Sequence, residues 1–161
     1  MCWHRYTIHQ YAESAAQAQK AIEVSPDSFW PHVTLGLDDV QLRKYDEAII
    51  EFQKGIKLSD GLSFAVAPLA HAYAVAGKKK EVEETLAKLK EIGKHGYVSP
   101  FDMAIISTGM GDKEKAFDWL DKALQEKSLW LIYIRWEPRL DPLRSDPRFS
   151  SLLHRMGLPV V

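Results

Sequence analysis

The chain has a single cysteine, Cys2, among 161 residues, so no disulfide can close within it and nothing demands an oxidising compartment. Long apolar runs are also missing. None approaches the ~20 residues that a membrane-spanning helix needs, and the opening MCWHRYTIHQ lacks the apolar centre of a secretory signal. Charge of one sign is not in excess either: 21 basic against 22 acidic side chains leave a formal net charge of −1. That balance offers no footprint for nucleic acid or an anionic membrane surface. A cytoplasmic protein without nucleic-acid or membrane partners is the expectation.

Chemical signatures are equally scarce. There is no glycine-rich phosphate loop, nucleophile elbow or paired-carboxylate motif. The six histidines (His4, His9, His32, His71, His95 and His154) fall at no metal-ligand spacing, and Cys2 sits in a stretch expected to fray. Lys78-Lys79-Lys80 is answered at once by Glu81, Glu83 and Glu84, which reads as a solvated turn. Asp38-Asp39, adjacent on a helix, point in different directions and read as a solvated edge or the rim of a groove. Catalytic residues, metal ligands and cofactors are therefore not expected, and the chain does not read as an enzyme.

What is present is a period. Ala48, Val82 and Ala116 are spaced 34 apart (82 − 48 and 116 − 82), and each is followed four residues later by a bulky apolar residue, Phe52, Leu86 or Leu120. Upstream of each lies a matching pair: Leu35-Gly36, Leu69-Ala70 and Met103-Ala104. The small residues allow two helices of a hairpin to approach closely, and the bulky ones fill the space between hairpins. Helix boundaries follow from local chemistry. Ser28 or Asp27 can cap a helix from Phe29 to about Leu42, a turn near Lys44 precedes a second to about Leu58, and Asp60-Gly61 breaks it. Pro68 sits badly in the next first helix and predicts a late start or a bend. Ser99-Pro100-Phe101-Asp102 is a strong helix start, and Asp112 can cap the helix that runs through Gln125. Ala15, Ala18 and Ala21 mark helix ahead of Pro26, predicted from Trp3 to Val24, in one piece or two.

The spacing and the small-large pattern resemble the tetratricopeptide repeat. The resemblance implies an all-α fold: a right-handed superhelix of antiparallel helix hairpins, an α-solenoid, in one domain. Residues 1–28 would form a partial repeat, 29–62, 63–96 and 97–130 three full ones, and 131–161 a C-terminal cap. After Ser128 the period stops, lysine disappears, and Arg135, Arg139, Arg144, Arg148 and Arg155 take over. Arg144 and Arg148, interleaved with Asp141 and Asp146, are candidates to pin an irregular cap. Phe149, Leu152, Leu153 and Met156 share one helical face after Asp146-Pro147. The segment DPLRSDPRFSSLLHRMGL is similar to the close of tetratricopeptide arrays in bacterial multidomain regulators, where the array accompanies a kinase, adenylate-cyclase or winged-helix domain.

The resemblance further implies a non-catalytic protein-protein interaction scaffold, a docking or regulatory module. Its first helices would line a concave groove that receives an apolar peptide or helix. Carried onto this sequence, the lining is Trp30, Val33, Leu37 and Gln41, then Phe64 and His71, then Phe101 and Ile105. The two-carboxylate clamp that holds acidic chaperone tails is absent, since Val33, Leu37, Ala67 and His71 stand in its places. The alternative is a structural module, a homodimer or a self-filled array, whose apolar groove is occupied by its own chain or a second copy.

Overall fold

The computed structural model describes residues 2–159, with side chains from 4 to 159, so the Cys2 side chain and the one at Trp3 lie outside the described set. The described residues are helical and loop, without a strand. Helices α1 (Cys2–Thr7), α2 (Tyr11–Val24), α3 (Phe29–Gln41), α4 (Tyr45–Leu58), α5 (Ser63–Val75) and α6 (Lys79–Ile92) belong to a first compact unit, Met1–Val98. The second unit, Ser99–Val161, holds α7 (Pro100–Gly109), α8 (Lys113–Gln125), two 3-10 turns, η1 (Leu129–Tyr133) and η2 (Pro138–Leu143), and α9 (Pro147–Arg155). In the first unit each helix packs on the next in sequence, and α3 also touches α5. In the second, α7 packs on α8 and η2, and α8 meets α9.

The 34-residue period is written into the backbone. His9, Arg43, Gly77 and Gly111 all adopt left-handed φ, between 60° and 77°. Each follows a short break after a helix, and the next residue's N–H reaches back five residues. Gln10 donates to the Arg5 carbonyl (2.9 Å), Lys44 to Asp39 (2.8 Å), Lys78 to Tyr73 (2.9 Å) and Asp112 to Ser107 (3.0 Å). This bond closes the preceding helix by satisfying one of its orphan carbonyls. Glycine carries the turn at no steric cost at 77 and 111, whereas His9 and Arg43 carry it with a side chain. The same turn at His9 divides the predicted helical stretch into α1 and α2, so the spacing of these turns extends into the segment expected to form a partial repeat.

First and second helices of each pair differ in character. In α5 the residues from Ala65 to Ala72 are all buried, and in α3 the same is true from His32 to Val40 apart from Thr34. A helix apolar nearly all round is one enclosed by neighbours. By contrast α4, α6 and α8 bury one stripe each: Ala48, Ile49, Phe52 and Gly55; Val82, Thr85 and Leu89; Ala116, Phe117, Leu120 and Ala123. Their opposite faces carry Lys and Glu. Leu86, expected to be core, is only partly buried, and Leu89 takes the interior place.

The hairpin seams are as tight as the small residues require. A Cβ on Gly36 would stand 2.7 to 2.9 Å from the Phe52 ring, inside van der Waals contact. Ala48, Ala70, Ala104 and Ala116 are wholly buried. Pro68 neither delays nor truncates α5, which starts at Ser63 and runs through it. The missing N–H forfeits one bond to the Phe64 carbonyl, a loss the enclosed helix offsets by packing on both sides.

Candidate partner-binding surface

In the first unit three aromatic rings meet where two helices begin. Phe29 and Trp30 open α3, and Phe64 is the second residue of α5. The Trp30 indole stacks on the Phe64 ring at 5.0 Å between centroids and 26° between planes, and Phe29 lies 5.1 Å from Trp30 and 5.3 Å from Phe64. The period explains the meeting, because Trp30 and Phe64 are 34 residues apart and α3 touches α5. Trp30 remains 50% exposed, so a large flat ring is held by its neighbours while half of its surface faces water.

Of the expected groove residues, Trp30 and Phe64 are brought together and Gln41 is partly exposed at the end of α3. The other five side chains are buried. Val33 and Leu37 belong to the core of the first unit, with Tyr6, Phe52, Ala65 and Leu69. Phe101 and Ile105 belong to the core of the second, with Leu131, Ile134, Leu140 and Leu143 from the η1–η2 segment. His71 is buried in α5. The reason is common to all five. An open groove requires one free face on each first helix, and these helices are enclosed on almost every side.

The reading of the paired acids requires correction. Asp38 and Asp39 are both buried, not a solvated rim. Burial pushes Asp38 up to about 7, countered in part by Ser14 and reinforced by the neighbouring Asp39 charge. Burial also raises Asp39, with Lys44 opposing it and Glu47 and Glu51 adding to it. Nearby, His32 Nδ1 lies 2.7 Å from Glu51 Oε2, linking α3 to α4. Burial would raise Glu51, but bonds from Lys54 and His32 outweigh it and hold the carboxyl below its ordinary value.

The segment from η2 to α9 in the second unit carries several arginine-carboxylate pairs. Arg144 donates to Asp141 at 2.6 Å, and Arg148 bonds Asp146 at 2.9 and 3.0 Å and Glu114 of α8 at 2.9 Å, as the Arg-Asp interleaving predicts. Sequence reasoning missed the deeper pair. Glu137 is 1% exposed and accepts two bonds from the Arg139 guanidinium (2.7 and 2.9 Å) and one from the Arg139 backbone N–H (3.1 Å). Against them lies Asp102, pushed up to about 7 chiefly by burial, lowered by Arg139 and raised again by Glu137. The signal available was the E-P-R run itself, an acid capping a proline-led turn with its counter-charge two residues on.

A further concavity of about 300 Å³ is bounded by His4, Arg5, Ile8, Gln10 and Gln17, where Arg5 already donates to Gln10 at 2.9 Å. Among the described residues no cluster of three or more His, Cys, Asp or Glu could hold a metal ion, and no helix is long and apolar enough to cross a membrane. Compared with protein-family models and with curated proteins, the chain matches none.

Proposed function

We propose that this chain is a non-catalytic protein-protein interaction scaffold of the tetratricopeptide type. It takes an apolar peptide or helix and serves as the docking or regulatory part of a bacterial signalling or transcriptional regulator. The single observation that carries this reading is the half-exposed Trp30 stacked on Phe64. A tryptophan pre-ordered by neighbouring rings, with its free face in water, has the character of an interface anchor, since binding buries it at little cost in side-chain freedom. The 34-residue recurrence of the left-handed turn and the Gly36–Phe52 seam support the repeat assignment.

Affinity capture from native lysate, compared between the wild type, Trp30→Ala and Phe64→Ala, tests the proposal. A retained partner should weaken by roughly thirtyfold or more with Trp30→Ala, the loss expected of a hot-spot tryptophan. A partner that binds both variants undiminished, or the capture of none, removes this surface from consideration.

One observation favours the dimer alternative. In the second unit Leu129, Ile132 and Trp136 project from η1 and the turn after it, each more than half exposed, with the Arg135 guanidinium 5.7 Å from the Trp136 ring. Sedimentation over a wide concentration range separates the two readings: a dimer lost in Ile132→Glu supports self-association, and a persistent monomer rejects it.

A further inference from the structure

The contact between α2 and α3 contains a carboxyl group that peptide binding does not use. Asp38 lies midway along α3, wholly buried, and neither of its oxygens completes a hydrogen bond. Across the seam Ser14 of α2 is also wholly buried. Its hydroxyl favours the charged form of Asp38 without reaching full hydrogen-bond geometry, so it offsets only part of the cost of burial. The remainder of the seam is Ala15, Ala18 and Leu35, with Ile22 at its edge. An ionised carboxylate among such groups loses its hydration and regains little. The protonated acid carries no charge and is far less costly to leave in such a seam.

We propose that Asp38 is a proton-linked clasp: protonated, it holds α2 against α3, and its ionisation lets α2 part from α3. The device belongs to the fold and stands whether or not the aromatic cluster binds a peptide. The surroundings contain little to oppose it. From α2 the facing polar group is Ser14. On α3 itself Asp39 adds a like charge, and His32 is engaged with Glu51 of α4. Lys44, Glu47 and Glu51 act on Asp39. Tyr6 of α1 and His71 of α5 are the other buried titratable side chains on helices packed against α3.

The direction follows from burial. Asp38 is raised from 3.8 to about 7, so its contribution to folding is complete below the ordinary carboxylate range and is lost as pH rises through 7. Over pH 5.5 to 8.5 the equilibrium for parting α2 from α3 should rise roughly thirtyfold by that linkage.

Amide hydrogen exchange on the full chain, corrected for the intrinsic pH dependence of exchange, measures this at α2. Protection of the Ala18 and Ala21 amides should fall roughly thirtyfold from pH 5.5 to 8.5 by the same linkage, while Ile49 and Phe52 of α4 change far less. Asp38→Asn should keep α2 protected at the alkaline end and flatten the profile. Ser14→Ala, which withdraws the group favouring ionisation, should move the fall to higher pH and serves if the asparagine variant does not fold. The proposal is overturned if wild-type α2 protection is independent of pH or if α2 and α4 lose protection together. An equal fall in Asp38→Asn overturns it too, as does an unmoved midpoint in Ser14→Ala.

Discussion

Two deeply buried acids, one in each unit, are accommodated in opposite ways. In the first, Asp38 stands in an apolar seam with a serine for company and is driven toward its neutral form. In the second, Glu137 is equally buried but receives the Arg139 guanidinium edge-on, together with a backbone N–H. A buried charge is tolerable when geometry satisfies it and is otherwise replaced by a proton. The units differ in packing as well. Gly36 faces the Phe52 ring in the first, whereas the equivalent places in the second are Ala104 and Leu120. Capping differs in a third way: Ser99 accepts a bond from the Phe101 N–H at 3.2 Å, while Ser28 at the start of α3 makes no side-chain cap bond.

The largest effect should come from making the second unit resemble the first. Arg139→Ala strands Glu137 without its counter-charge, and denaturant unfolding should show a loss of about 3–5 kcal/mol. Replacing both partners with apolar residues of similar volume should recover most of it, because the uncompensated charge is then absent. A loss well below that range in Arg139→Ala would show that the pair does not anchor the segment after α8.

An intermediate effect is expected at the seam. Gly36→Ala places a methyl group against the Phe52 ring and should cost about 1–3 kcal/mol through overpacking, even though alanine is the better helix former. Combining it with Phe52→Leu copies the residue pair of the second unit and should cost less than Gly36→Ala added to Phe52→Leu, a coupling that a double-mutant cycle reads directly. Strict additivity would mean that the two positions do not share a contact. The smallest effect separates the caps. Ser99→Ala should lower stability by about 1 kcal/mol, and Ser28→Ala should leave it nearly unchanged.

Much of the helical layout was legible because it rests on local chemistry. The α3–α4 pair, the Asp60-Gly61 break, the Ser99-Pro100 start and the Asp112 cap all depend on residues within a turn of one another. The left-handed turn at His9 was not legible, since nothing in a histidine announces positive φ. The surface was half legible. Trp30 and Phe64 meet because of the period, but Val33, Leu37, His71, Phe101 and Ile105 carry no local sign that other helices cover them. An Asp-Asp step reads as solvated by composition alone, and burial follows only when neighbouring helices close over α3.

Apart from the turn at His9, the sequence alone determined where the chain bends, because capping and turn geometry act between near neighbours. Tertiary structure alone decided which faces remain wet and which acids keep their protons. Both are set by enclosure: a side chain loses water only when distant segments arrive around it, and that loss left Trp30 half open, closed over Phe101 and isolated Asp38.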